Sequence, residues 1–158
     1  FAGVMETFDN TRPFVASMAL GCMQAALERT REIFKGVLKL TDFKTPLTKR
    51  KAAEAEFLKM EAEYEACRLL TLKAAWLADN RIPNSMEASI CKAKSGRVGT
   101  ATTLKCVELT SSYGYSYQDL LEKWGRDSKI LDIFEGTQQI QQLIIARRIL
   151  GKSSAELK

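Results

Sequence analysis

The chain has 158 residues, 46% hydrophobic and 27% charged, with 24 Lys and Arg against 19 Asp and Glu for a net charge of +5. That is the length of one domain with a real core and the composition of a soluble globular protein; no apolar run is long enough to cross a bilayer, no secretory leader is expected, and the positive residues are interleaved with Glu rather than gathered for nucleic acid. Histidine is absent, which removes Ser-His and Cys-His pairs and most zinc sites and leaves acid–base chemistry to carboxylates.

Only 3 prolines and 9 glycines punctuate the chain, so long helices are expected. The first is predicted over 13–35, with Pro13 in the first turn, where its missing N–H costs nothing. Val15, Met18, Cys22, Ala25 or Ala26, Arg29 and Ile33 trace its inner face, Gly21 suggests close packing, and Gly36 is its stop. From 36 to 51 an ordered loop is expected. Lys39, Lys44, Lys49, Arg50 and Lys51 face a single Asp42 there, as a solvated connection or as an electropositive contact for a cofactor or partner subunit. A second helix is predicted over 48–80. Phe57, Met60, Tyr64, Cys67, Leu70, Ala74 and Leu77 form its stripe beneath a Glu- and Lys-rich face, and residues 79–83 break it.

Asn84 and Glu87 have the spacing of a capping box. The helix that follows runs to about Ser111, with Ile90, Ala93, Gly96, Thr100, Leu104 and Val107 inside. Gly96, Gly99 and Ala101 leave room for a close neighbour. A polar aromatic turn over 111–117, a short helix over about 118–124 and a last helix over 138–150, stopped at Gly151, complete the reading; the tail over 152–158 is expected to be loosely held. The expected fold is all-α, an antiparallel up-and-down four-helix bundle with short additional helices, as a single domain over 1–158. Cys22, Cys67, Cys91 and Cys106 fall in helical patterns without metal-ligand spacing. They read as small buried apolar residues in a reducing compartment, and no metal site is expected.

One carboxylate stands out. Glu135 precedes Gly136 and Thr137, which make the turn into the last helix. Ile133, Phe134 and Ile140 predict apolar surroundings, in which a carboxylate becomes a usable base. The alternative is a Glu that stabilises the helix dipole.

Five segments, in order and spacing, resemble the C-terminal helical domain of the acyl-CoA dehydrogenases. They are Phe8-Asp-Asn-Thr-Arg-Pro13, Ala74-Ala-Trp76, Ala88-Ser-Ile-Cys-Lys-Ala93, Glu122-Lys-Trp-Gly-Arg-Asp-Ser-Lys-Ile130 and Ile133-Phe-Glu-Gly-Thr-Gln-Gln-Ile-Gln141. The resemblance implies α,β-dehydrogenation of an acyl-CoA thioester with FAD as hydride acceptor and Glu135 as the base. It places Asp9, Arg12 and Gly136 at the CoA substrate, and Thr137, Gln138 and Gln139 at FAD, where a helix N-terminus suits a phosphate. For Asp9 and Arg12 a local ion pair is the alternative; Arg126 and Asp127 are expected to pair structurally.

The resemblance also implies an electron-transfer flavoprotein or similar acceptor, and homo- or hetero-oligomers formed through the bundle. The expected location is cytoplasmic, or the mitochondrial matrix in a eukaryote. The opening Phe1 is expected of a piece of a longer chain, inactive alone, whose N-terminal helical and middle β domains lie elsewhere.

The chain departs from the family in three places. The family's Arg-x-x-Phe-Gly falls on 40–44, where Phe43 survives without the Arg. A following Gln falls near Lys51. A Gln-x-Phe-Gly-Gly falls on 108–112. All three concern the half-site for a neighbour's FAD. Lys39, Lys44 or Lys51 could substitute electrostatically, whereas Glu108 would repel a phosphate. Either the neighbour's grip is weaker, or the chain pairs with a related subunit so that one FAD site per pair is complete. Two other functions stay open, a non-catalytic assembly module and an acyl-CoA oxidase.

Overall fold

The computed structural model describes residues 2–38, 46–153 and 155–156. Lys39, Leu40, Asp42, Phe43 and Lys44 of the expected basic loop lie outside them. The described residues form five helices and no strand: α1 Ala2–Gly36, α2 Ala52–Asp79, α3 Ser85–Thr110, α4 Leu121–Leu131 and α5 Gln138–Leu150. Single 3-10 turns at Leu47–Lys49 and Ser111–Tyr113 precede α2 and α4.

The bundle is built around α3. Buried residues occur all round it, from Ala88 to Thr110, because α1, α2, α4 and α5 all pack on it. Small side chains make this possible: Ser89, Cys91, Ser95, Gly96, Gly99 and Thr103 are all buried. Gly96 is the tighter of the two glycines in α3, where an added Cβ would stand 2.9 Å from Cα of Asp132. The periodicity expected for α3 has one face and is therefore too narrow. Leu104, assigned to the inner stripe, is 54% exposed, and Ala101 is exposed too.

α1 and α2 run antiparallel. Phe34 meets Phe57 at one end with ring centroids 5.5 Å apart, Tyr64 Oη donates to Gln24 midway, and Ala16 shares a buried cluster with Ala74 at the other end. α2 and α3 are antiparallel as well, with Lys94 paired to Glu63 and Lys73 to Glu87. α4 returns along α3, from Gly125 beside Leu104 to Asp132 beside Gly96. The expected up-and-down order therefore holds for α1 to α4, and α5 is a fifth packed helix.

Pro13 lies inside α1 rather than at its start. An internal proline frees the carbonyl four residues earlier, here that of Asp9. Asn84 Nδ2 donates to that oxygen at 3.4 Å and to the Ala74 carbonyl at 3.1 Å. The same amide explains why the expected capping box is absent. Asn84 is the N-cap residue of α3 but makes no side-chain cap, and Glu87 pairs with Lys73 instead.

Further boundaries shift. α2 begins at Ala52, where Glu54 reaches back to the Lys51 N–H at 3.3 Å. α4 covers 121–131 rather than 118–124. On α1, Met18 is 53% exposed and Gly21 faces open space, so neither packs as expected. The last helix matches, with Gly151 as a left-handed C-cap. Three cysteines match: all four are free thiols on helices, with Cys67, Cys91 and Cys106 buried as expected, but Cys22 only half-buried. No helix among the described residues is long and apolar enough to cross a membrane.

Candidate active site at the turn into α5

Six residues separate α4 from α5, and two of them have left-handed backbone: Glu135 at φ 60° and Gly136 at φ 101°. Glycine adopts this region freely, but a glutamate does so against steric crowding of its Cβ. Thr137 then returns to extended backbone as the N-cap residue of α5. The first intrahelical bond runs from Gln141 N–H to the Thr137 carbonyl, and Thr137 makes no side-chain cap. The N–H groups of 138 to 140 thus precede the helical ladder, as at any helix start.

Three helices converge on Glu135. From α1, Thr11 Oγ1 donates to its carboxylate at 2.9 Å. Arg12, buried on the same turn of α1, donates to Asp9 at 2.6 Å and lies 5.8 Å from the Phe8 ring centroid. Burial pushes the Arg12 guanidinium below its ordinary pKa, against the opposing pull of Asp9 and then Glu135. From α3, the fully buried Lys92 reaches under the turn. Its Nζ donates to the Gly136 carbonyl at 2.5 Å and to that of Asp132 at 3.1 Å. Burial lowers the Lys92 pKa, Asp132 raises it, Arg12 lowers it and Glu135 raises it. From α5, the fully buried Gln141 donates to the Glu135 and Gly136 carbonyls.

The greasy mouth expected from Ile133, Phe134 and Ile140 is not what surrounds this acid within the chain. Ile133 and Ile140 are 45% and 48% exposed, and Phe134 turns into the cluster of Val15, Ala19 and Leu131. A hydroxyl bonds the carboxylate, and two buried cations, Arg12 and Lys92, feel its charge.

The other expected site residues divide. Asp9, Arg12, Glu135 and Gly136 gather into one place. Asp9 and Arg12 do form the local ion pair raised as an alternative, with Arg12 enclosed and Asp9 partly open. Thr137 and Gln139 stand exposed at the start of α5. Gln138 points inward, its amide donating to the Ala93 carbonyl at 2.6 Å and to Asp132. Arg126 and Asp127 do not pair with each other: Arg126 holds Glu122 and Asp127 holds Lys123. Glu108 is paired with Lys105 at 2.6 Å, which offsets the repulsion expected toward a phosphate. No cluster of metal-ligating residues occurs among the described residues.

Thr11, Lys92 and Gln141 received no role from the sequence, although each lies in a segment that carried the resemblance. The sequence carries no signal that singles out Lys92, because the run from Ala88 to Gly96 holds a second lysine, Lys94, which is half-buried and pairs with Glu63.

Comparison with known proteins bears on this site. A family model described as Acyl-CoA dehydrogenase, C-terminal domain, matches residues 1–150. The chain is 35% identical over 150 residues to the mitochondrial short-chain specific acyl-CoA dehydrogenase of Bos taurus, covering 95% of this chain and 36% of that protein. Butyryl-CoA dehydrogenase from Megasphaera elsdenii superimposes with a TM-score of 0.83 at 32% identity, covering 92% of this chain and 37% of that one. A chain from a structure of the electron transferring flavoprotein of Acidaminococcus fermentans does so with a TM-score of 0.84 at 30% identity, covering 94% and 38%. The chain thus spans 36% of the length of the bovine relative.

Proposed function

Since this chain belongs to the acyl-CoA dehydrogenase C-terminal domain family, we propose that it is the C-terminal domain of an FAD-dependent dehydrogenase in which Glu135 removes the α-proton of an acyl-CoA thioester. The observation that carries this reading is the convergence on Glu135. One acid is held on a strained turn by three helices, beside an open helix start.

The residues at the start of α5 fit a nucleotide phosphate. The N–H groups of 138 to 140 are unsatisfied by any side-chain cap, Thr137 and Gln139 are exposed beside them, and the helix dipole favours an anion there. Thr137 and Gln139 would hold FAD by its phosphates, and Gln138 would brace the helix start from within. FAD, when bound, would supply a hydride acceptor for the β-carbon.

Glu135 does the proton chemistry. Thr11 fixes the carboxylate, limiting the rotamers from which it can reach a C–H bond. Asp9, the open member of the Asp9–Arg12 pair, is the group available to the CoA portion, and Arg12 orients it from within. Gly136 suits this place because its φ of 101° strains any L side chain, and an added Cβ, 2.5 Å from Gln141 Nε2, would push that amide off its carbonyls. Removal of a carbon acid's proton by a positioned base typically contributes about 10²- to 10⁴-fold.

The test uses the complete protein with a short acyl-CoA and an artificial electron acceptor. FAD-dependent formation of the enoyl thioester supports the proposal, and its absence from a fully FAD-loaded protein refutes it. Peroxide formed in proportion to product would assign an oxidase instead. The partners follow as further proposals: an electron-transfer flavoprotein or similar acceptor, and a location in the cytoplasm, or the mitochondrial matrix in a eukaryote.

A second reading, an assembly module, is favoured by the apolar face of α2. Leu69, Leu72 and Trp76 are 55%, 51% and 58% exposed, and such a stripe calls for a covering surface. The incomplete half-site around Lys51 and 108–112 fits a hetero-oligomer with one FAD per pair. Full FAD occupancy in a pure homo-oligomer would exclude that form.

A further inference from the structure

We propose that Lys92 and Gln141 are positioning residues that hold Glu135 in its left-handed backbone conformation and so aim its carboxylate; the inference rests on the base assignment above. A glutamate at φ 60° followed by glycine at φ 101° does not persist unless its surroundings enforce it.

The enforcement is visible. The two carbonyls that follow the strained dihedral angles, those of Glu135 and Gly136, are gripped by side chains from two different helices. Gln141 Nε2 donates to both, at 3.1 and 3.2 Å. Lys92 Nζ donates to the Gly136 carbonyl at 2.5 Å and anchors itself on the Asp132 carbonyl at the end of α4. Both Gln141 partners are acceptors, so its amide must present NH₂ to them and cannot be flipped.

Both side chains are fully buried. An ammonium is a poor choice for filling that space, because burying a charge is costly and an apolar chain of the same length would pack as well. Its use is intelligible if the backbone oxygens need strong donors. Rotating the turn back to ordinary helical or extended dihedral angles would swing these carbonyls off their donors and leave a buried cation with one partner fewer.

The clamp also fixes the neighbours. Lys92 ties α4 to the turn through Asp132, whose side chain takes the Gln138 amide from the first turn of α5. The acid, its turn and the proposed phosphate-binding helix start are therefore set by one connected group of side chains.

The experiment compares Lys92→Met, Gln141→Met and Glu135→Gln in the complete, FAD-loaded protein. Each of the first two is expected to lower kcat about ten- to a hundred-fold, the effect of misplacing a catalytic group by about 1 Å, with KM for the acyl-CoA within about threefold. Neither should slow the Glu135→Gln protein further, and crystal structures of both should show residue 135 outside the left-handed region. Wild-type kcat in Lys92→Met and Gln141→Met, with Glu135→Gln inactive, overturns the positioning role alone. An active Glu135→Gln overturns the base assignment; the dihedral angles then decide the clamp, and a left-handed residue 135 in both variants refutes it. If Lys92→Met does not fold, Gln141→Met carries the same readouts.

Discussion

The Thr11 hydroxyl donates to the Glu135 carboxylate across 2.9 Å, joining α1 to the α4–α5 turn over 124 residues of sequence. This one bond connects the helix bearing Asp9 and Arg12 with the acid proposed to act on the substrate. A hydrogen bond to a charged group contributes about 1.5–3 kcal/mol. Thr11→Val is expected to lower kcat by roughly tenfold, and Thr11→Ser to restore most of the rate. Steady-state kinetics of the complete protein check both.

Asn84→Ala leaves the carbonyls of Asp9 and Ala74 without the amide that now serves them. Both lie in packed helix, so the expected loss is about 1–3 kcal/mol. Urea unfolding of the bundle, at constant m-value, measures it. The double change Pro13→Ala with Asn84→Ala should lose less than Asn84→Ala alone, because an N–H at 13 would again serve Asp9.

Gly96→Ala places a methyl group 2.9 Å from Cα of Asp132 and 3.0 Å from the Leu131 carbonyl. Those atoms are backbone and cannot swing aside, so α4 must move off α3. Overpacking of this kind destabilises by about 1–3 kcal/mol. Because Asp132 anchors Lys92 and Gln138, kcat should fall in step with stability. Thermal unfolding and turnover are read on the same sample.

The buried thiols give a pH prediction. Burial raises the Cys91 thiol from 9.0 to about 12 and the Cys106 thiol from 9.0 to about 11. Between these values the unfolded chain releases protons that the folded chain retains, so unfolding is favoured as pH rises. The associated stability is fully present below about pH 9 and is lost progressively up to about 12. Denaturation midpoints should fall over that range, and less steeply in Cys91→Ala. At neutral pH a maleimide should label the half-buried Cys22 and spare Cys67, Cys91 and Cys106.

What could be read in advance was what local chemistry fixes. α5 is legible at 138–150 because Gly136, Thr137 and Gly151 punctuate it, and α2 because the stripe of Phe57, Met60, Cys67 and Ala74 is the one it buries. What could not be read depends on distant partners. Pro13 sits inside a helix because Asn84, 71 positions later, takes over a carbonyl that Pro13 leaves free. The spacing along α3 predicts one inner face, although four helices cover it. Lys92 has no role in the sequence reading because its acceptors lie 40 and 44 residues away. The site followed the same division. Glu135 and Gly136 stand out from a motif, whereas Thr11, Lys92 and Gln141, which hold them, act through contacts that only the fold creates.

The central claim is that Glu135 takes a proton from the α-carbon of an acyl-CoA. Anaerobic mixing of a short acyl-CoA with the complete FAD-loaded protein, followed by loss of flavin absorbance in a single turnover, measures this step without product release. The account predicts that Glu135→Gln slows the absorbance loss by about 10²- to 10⁴-fold while the thioester still binds with a Kd within a few-fold of the unsubstituted protein. Absorbance loss at an unchanged rate in Glu135→Gln would contradict it.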